Sequence, residues 1–322
     1  MNSFLNFLSR HAMAAMAAGV FIGLLAPPLA KLLAPLLAPA VWALLVISLL
    51  RTEGAAAMAH LRRPGRVAGL LVWCLAATPA VMWGLVSLSG LPGGLAAAMV
   101  LAAGSSPLIS TPALGILLGL DGAFILTLLI PATLLIPLTL PGIALVLLGF
   151  ETDVSAGDLM VRLAVLVGTS ILAAWALRRG LDAERVRAVG PELDGAAVLI
   201  LIVFAIAIMD GLTARLLAEP GYVLFVTALT FAAYAGLMAL TVLGLAIFQP
   251  HWGRRLILSA GFTAGCRNLA VILAVLPAGA DPDLFLYFAV GQFPIYLMPA
   301  ILKPLMLRLL KNETISRRGF DE

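Results

Sequence analysis

Long apolar stretches alternate along the chain with short polar, basic or glycine- and proline-rich turns. Each stretch holds about 20 residues, the length that an α-helix needs to cross a bilayer. The pattern predicts an all-α polytopic membrane protein with ten transmembrane helices, which we call predicted helices 1 to 10. In chain order they cover approximately residues 7–25, 32–50, 67–88, 101–120, 123–148, 159–177, 195–209, 222–248, 258–277 and 284–310.

Two of these stretches are interrupted by polar residues and prolines where a membrane helix would be continuous. Predicted helix 4 contains Gly104-Ser-Ser-Pro107 and then Ser110-Thr-Pro112, and predicted helix 9 contains Arg267-Asn268. Proline removes a backbone donor and clashes with the preceding turn, and irregular backbone at membrane depth survives only inside protein or around a wet cavity. Paired interruptions in the two halves of a chain are typical of a transporter binding site.

The two halves of the chain are similar in pattern. Leu101-x-Ala103-Gly104 recurs as Leu258-x-Ala260-Gly261, and the prolines of predicted helices 5 and 10 also match, namely Pro131, Pro137 and Pro141 with Pro294, Pro299 and Pro304. Because each half holds five helices, an odd number, the second half enters the membrane in the opposite direction. We therefore expect two inverted five-helix repeats, residues 1–150 and 159–310, followed by a cytoplasmic tail, 311–322. The alternative is a chance similarity of two Ala-, Leu- and Gly-rich halves.

Composition and charge agree with a membrane protein and exclude other classes. The chain is 62% hydrophobic and 11% charged, with a net charge of +4, and no soluble domain buries that much apolar surface. Most basic residues lie in short loops between apolar stretches, which indicates a lipid bilayer as partner and no nucleic acid. By the positive-inside rule we expect an inner-membrane protein with both termini in the cytoplasm. The N-terminal stretch is interpreted as a retained first helix rather than a signal peptide.

Arg267 is the charge that stands out, because it lies near mid-membrane with no acidic residue in its own segment. A charge at this depth is costly and marks a functional site by default. Two interpretations are open and compatible. Arg267 either holds the crossing together by bonding hydroxyls and the carbonyls of the broken helices, or it binds a carboxylate-like substrate group bidentately.

The predicted substrate site gathers the polar residues of both interruptions with one amide from predicted helix 10. Any single hydroxyl could instead serve helix packing, which small polar residues favour. No pair of nucleophile and base and no metal cluster is evident in the predicted helices, so we expect neither an enzyme nor a cofactor. The predicted site residues are Ser105, Ser106, Ser110, Thr111, Thr263, Arg267, Asn268 and Gln292.

On these features the chain resembles the bile acid:sodium symporter family, most strongly around Gly104–Pro112 and Gly261–Ala270. The resemblance implies a panel domain formed by helices 1, 2, 6 and 7, and a core domain formed by helices 3–5 and 8–10. It also implies that the broken helices 4 and 9 cross in the core. The function that it implies is secondary transport by alternating access.

The chain departs from the family at the positions that the resemblance assigns to sodium. In predicted helix 9, Thr263 stands where the family has Glu and Arg267 where it has Gln, while Gly265 and Asn268 match. In predicted helix 4, Pro107 matches, but Leu108-Ile109 replace glycines and Pro112-Ala113 replace Ser-Asn.

We therefore expect transport of a small organic anion without sodium, with Arg267 partly replacing an ion and Asn268 near the substrate. A sodium-coupled symporter of organic acids, a channel-like pore and a non-transporting membrane sensor are the alternatives. The sequence leaves the substrate and the oligomeric state open.

Overall fold

The computed structural model describes residues 12–51, 64–148, 155–181, 183–277 and 279–318. Within these residues the chain is all-helical apart from turns and one isolated backbone bridge. Parts of the predictions fall outside them: the start of predicted helix 1, most of the first basic loop, the acidic connection between the halves and the last four residues of the tail.

The described residues form seventeen α-helices, two 3₁₀ turns (Ala34–Leu36 and Pro250–Trp252) and one π-helical turn (Trp73–Ala77). In chain order the α-helices are α1 (Ala12–Leu25), α2 (Pro27–Leu33), α3 (Leu37–Arg51), α4 (Pro64–Val72), α5 (Thr78–Ser87), α6 (Gly93–Gly104), α7 (Thr111–Leu117), α8 (Gly122–Leu147), α9 (Ala156–Gly180), α10 (Ala183–Ala188), α11 (Gly190–Ala207), α12 (Leu212–Ala218), α13 (Pro220–Phe248), α14 (Arg254–Gly265), α15 (Leu269–Leu273), α16 (Pro282–Val290) and α17 (Gln292–Arg318).

The protein is membrane-embedded. Among the described residues, seven helical stretches are long and apolar enough to cross a bilayer. Two shorter apolar helices, Ala15–Leu25 and Gly93–Gly104, accompany them. The seven long stretches are Pro27–Arg51, Pro64–Ser87, Gly122–Leu147, Ala156–Gly180, Gly190–Ala218, Pro220–Phe248 and Pro282–Lys311.

The C-terminal helix differs from its prediction in two ways. Predicted helix 10 is interrupted at Gly291, between α16 and α17, because Pro294 has no N–H to bond the carbonyl of Val290. The helix then continues to Arg318 instead of ending near Leu310. The sequence between these residues contains neither glycine nor proline, so nothing in it ends the helix where the tail was expected to begin.

The helices pack in two neighbourhoods. In one, α11 packs against α1, α2 and α3, and α9 packs against α3. In the other, α6 packs between α5 and α16, and α14 packs along α13. Contact between α8 and α9 links the two neighbourhoods. The helices α6 and α14 are both buried along their C-terminal two thirds, which places their C-terminal ends inside the protein.

Candidate functional site

The two interrupted helices meet at their breaks. Pro107 and Arg267 form an isolated antiparallel bridge. The Leu108 N–H donates to the Cys266 carbonyl at 3.0 Å, and the Asn268 N–H donates to the Ser106 carbonyl at 2.8 Å. Each break thus supplies one donor and one acceptor to the other, which satisfies backbone groups that have no water to bond at this depth.

The helices that precede the two breaks have the same length and end at the same residue type. α6 and α14 each contain 12 residues and end at Gly104 and Gly265. Both helices therefore end at a glycine, and Gly265 lies one helical turn after Gly261, the residue that the sequence pattern matches with Gly104. Gly265 also allows close approach, since a Cβ there would lie 2.8 Å from the Tyr234 carbonyl oxygen of α13.

Arg267 is buried at the bridge, with 3% of its surface exposed. Its Nε donates to the Ala264 carbonyl at 2.6 Å, Nη1 donates to the Ser105 carbonyl at 2.9 Å, and Nη2 donates to the Thr78 hydroxyl at 3.0 Å. Ala264 lies in the last turn of α14, and Ser105 directly follows α6. The guanidinium therefore joins the C-terminal ends of both half-helices to α5.

These contacts account for the charge of Arg267. A helix C-terminus carries the equivalent of about −0.5 elementary charge, so two of them converging on one guanidinium offset about its full charge. Carbonyl oxygens at a helix C-terminus are also groups that attract a free cation. The contacts agree with the first interpretation of Arg267, in which it holds the crossing together.

Asn268 begins the second half of the broken helix. Its Oδ1 accepts a hydrogen bond from the Val271 N–H at 3.4 Å and so caps the N-terminus of α15. Its Nδ2 is buried without a hydrogen-bond partner among the described residues. Ser110 holds the corresponding N-cap position of α7, is partly buried and makes no side-chain capping bond.

Three predicted site residues are buried, and their side chains bond carbonyls three or four residues earlier in the chain. Thr263 Oγ1 donates to the Ser259 carbonyl at 2.7 Å, and Ser105 Oγ donates to the Ala102 carbonyl at 2.8 Å. Gln292 Nε2 donates to the Phe288 carbonyl at 3.1 Å. These bonds are local, so in this conformation the three side chains serve their own segments rather than a shared site.

Other polar groups at the crossing remain unsatisfied. Ser106 Oγ, Thr111 Oγ1, Tyr234 Oη and Asn268 Nδ2 have no nitrogen or oxygen hydrogen-bond partner among the described residues. The thiol of Cys266, a weak hydrogen-bonding group, interacts with the hydroxyls of Thr111 and Tyr234. A buried polar group without a partner costs about 1–3 kcal/mol, so this cluster has unused capacity to bind.

A small cavity adjoins the crossing, with a volume of about 30 Å³. Such a volume holds one or two waters and no organic anion, so the crossing is closed in this conformation. Arg267 is the predicted site residue that lines it, together with Tyr234, Tyr287, Thr230 and Gly291, among others.

Two larger cavities lie elsewhere, and none of the predicted site residues lines them. One, of about 390 Å³, lies where the 3₁₀ turn Ala34–Leu36 and α3 face α11, α12, α15 and α16, with Asp210 and Arg215 in its wall. The other, of about 440 Å³, lies between the ends of α5 and α8 and the start of α6.

The structure adds two residues that the predicted site lacks. Thr78 contacts Arg267 directly, and the hydroxyl of Tyr234 borders the crossing. The signals in the sequence were Thr78-Pro79 in the middle of an apolar stretch and a tyrosine near the middle of another. Cys74 and Cys266 are both free and buried.

No group of three or more metal-ligating side chains occurs within the described ranges. The chain matches no family model and no curated protein in sequence comparisons. The site is therefore interpreted from its own geometry.

Proposed function

We propose that the protein is a secondary transporter that moves a small organic anion across the membrane by alternating access. The observation that carries this proposal is the antiparallel bridge between two interrupted helices in the interior of the bundle. Broken helices at membrane depth are the usual means of exposing backbone groups to a transported solute. A purely structural bundle has no need to interrupt two of its most buried helices.

We further propose the ten-helix inverted repeat as the architecture. The two broken elements run antiparallel, and each ends where the other begins. After α7, the Asp121 N–H donates to Ser259 Oγ of α14 at 2.9 Å, and Arg255 Nη2 donates to the Leu120 carbonyl at 3.2 Å. At the other end, the Asp281 carboxylate before α16 packs on Gly94 at the start of α6.

The two packing neighbourhoods support a division into a panel and a core that rock against each other. α1, α2, α3, α9 and α11 correspond to predicted helices 1, 2, 6 and 7, and α4–α8 with α13–α17 correspond to the remaining six. The repeats would span residues 1–150 and 159–310. In this division the chain resembles the bile acid:sodium symporters, and we regard it as a divergent relative of them.

The proposed orientation follows from charge. At one end of the bundle Arg51 pairs with Asp194, Arg178 bonds the carbonyls of Leu49 and Leu50, and Arg66 stacks on Trp252. We assign this basic end to the cytoplasm of a cell with an inner membrane, by the positive-inside rule.

We propose that transport is independent of sodium. The carbonyls of Ser105 and Ala264 already bond the guanidinium of Arg267, and a sodium ion would meet a fixed positive charge there. The anion would instead be bound by the unsatisfied donors at the crossing, Ser106, Thr111 and Asn268, once the core moves and opens it. Ser110 lies beside them, whereas Ser105, Thr263 and Gln292 would support the segments that carry these donors.

The test is uptake of labelled carboxylates into proteoliposomes, in sodium and in choline buffer. We expect saturable uptake with trans-stimulation, equal in the two buffers. A clear gain in sodium contradicts the proposed ion independence. Single-channel currents identify a pore, and absence of uptake across a broad panel of anions favours a non-transporting sensor.

A further inference from the structure

Two prolines leave two carbonyl groups without backbone donors beside Arg267. In a continuous α-helix the Ala103 carbonyl would bond the N–H of residue 107, which is Pro107 and has none. In the π-helical turn the Thr78 N–H bonds the Trp73 carbonyl. The next carbonyl, that of Cys74, would require the N–H of Pro79. Buried carbonyls that lack a donor need a side chain to supply one.

The hydroxyl of Thr78 lies between these two carbonyls. Thr78 is completely buried, and its Oγ1 is 2.9 Å from the Cys74 oxygen and 3.0 Å from the Ala103 oxygen. A hydroxyl has one hydrogen to donate and two lone pairs that accept. It donates to one of the two carbonyls at a time and accepts from Nη2 of Arg267 at 3.0 Å.

We propose that Thr78 is the positioning residue for Arg267. Its hydroxyl fixes the guanidinium against the end of α6 and ties α5 to the helix crossing, so that movement of the crossing is transmitted to this helix. The consequence for transport rests on the proposed function, whereas the positioning itself rests on the hydrogen bonds alone. A valine at this position has the same shape but neither accepts from Arg267 nor donates to a carbonyl.

The test is a double-mutant cycle in thermal stability, measured on the full-length protein in lipid nanodiscs. Thr78→Val is introduced into the wild type and into an Arg267→Met background. We expect a fall in Tm of several degrees in the wild type, on the order of 5 °C. The fall should be much smaller in the Arg267→Met background, because contacting residues are not additive. Thr78→Ser should restore most of the loss.

Thr133→Val is the matched control. Thr133 is buried in α8 and donates to the Leu129 carbonyl of its own helix at 2.8 Å, so its effect should be equal in both backgrounds. Equal effects of Thr78→Val in the two backgrounds would overturn the proposal. If Arg267→Met cannot be purified, the rate of maleimide labelling at Cys74, measured by mass spectrometry, replaces the cycle. That rate should rise with Thr78→Val and not with Thr78→Ser, and equal rates would overturn the proposal.

Neither readout depends on transport. A positive cycle with no uptake of any anion would leave the positioning role intact and count against the proposed function. Where uptake is measurable, Thr78→Val should reduce it at least several-fold and Thr78→Ser should retain it. Loss with both variants would mean that the hydroxyl is not what matters.

Discussion

The two helix breaks have similar backbone arrangements and different side chains. Each follows a 12-residue helix that ends at glycine, and each gives one N–H and one carbonyl to the bridge. The first break, residues 105–110, has short hydroxyl side chains, whereas the second, residues 266–268, has Arg267 and Asn268. The backbone is thus nearly two-fold symmetric at the bridge, and the side chains are not.

The difference shows where the specific chemistry lies. Arg267 bonds the carbonyl ends of both half-helices, and Asn268 caps its own following helix. At the first break, Ser105 bonds its own turn and Ser106 has no partner among the described residues. The second break therefore holds the crossing together, and the first supplies carbonyls to it and keeps hydroxyls unused.

Removing the Arg267 side chain should have the largest effect on stability of any substitution at the two breaks. Arg267→Ala leaves the carbonyls of Ala264 and Ser105 buried without donors, at about 1–3 kcal/mol each, so we expect the free energy of unfolding to fall by about 4 kcal/mol. The vacated space between two helix C-termini should then attract a cation. Sodium should raise the Tm of this variant and leave that of the wild type unchanged, as measured by thermal shift in sodium and choline.

Arg162→Ala is the control for this prediction, because Arg162 is an exposed residue of α9. Its Tm should stay near that of the wild type in both buffers. A sodium-induced shift in the wild type would contradict the assignment of the guanidinium as the occupant of the cation position.

The equivalent glycines should differ in their tolerance of a methyl group. At Gly265 a Cβ would lie 2.8 Å from the backbone oxygen of Tyr234, which cannot move without shifting α13. At Gly104 a Cβ would lie 2.8 Å from Cδ1 of Ile143, the end of a flexible side chain. Overpacking costs about 1–3 kcal/mol, so Gly265→Ala should cost about 2 kcal/mol more than Gly104→Ala in thermal unfolding. Equal costs would mean that α13 yields as easily as the side chain does.

The capping residues should show the same asymmetry on a smaller scale. Loss of an N-cap side chain costs about 1 kcal/mol, so Asn268→Ala should destabilise the protein by about that amount. Ser110→Ala should change the unfolding free energy little, because Ser110 makes no capping bond. A larger effect for Ser110→Ala would show that its hydroxyl has a partner.

Much of the fold could be predicted from the sequence because helix length and apolarity are local properties. α9 and α13 lie within about one turn of their predicted bounds. Both breaks occur where polar residues interrupt apolar sequence, joined by prolines at the first break. The local hydrogen bond of Thr263 could also be predicted from the sequence, since a threonine inside a helix commonly bonds the carbonyl four residues earlier. The polarity of Thr263 and its position near Arg267 favoured a role in substrate binding instead. The structure shows that its hydroxyl makes the local hydrogen bond in this conformation.

The partners of Arg267 could not be predicted, because they come from distant segments. Thr78 is 189 residues away in the chain and Ser105 is 162 residues away. The π-helical turn that precedes Thr78 has no marker in the apolar pattern. The offset of one turn between Gly261 and Gly265 has a related cause. Leu258-x-Ala-Gly261 is followed at once by Phe262-x-Ala-Gly265, and packing decides which of the two glycines ends the helix.

The smallest expected effect on stability distinguishes a binding role from a packing role at the first break. The hydroxyl of Ser106 is fully buried and has no partner among the described residues. Removing such a group relieves a desolvation cost, so Ser106→Ala should leave the unfolding free energy unchanged or raise it by up to about 1 kcal/mol. If the hydroxyl binds the anion when the crossing opens, the same variant should lower uptake into proteoliposomes. A loss of stability without a loss of uptake would assign Ser106 to packing and would leave Thr111 and Asn268 as the proposed anion-binding donors.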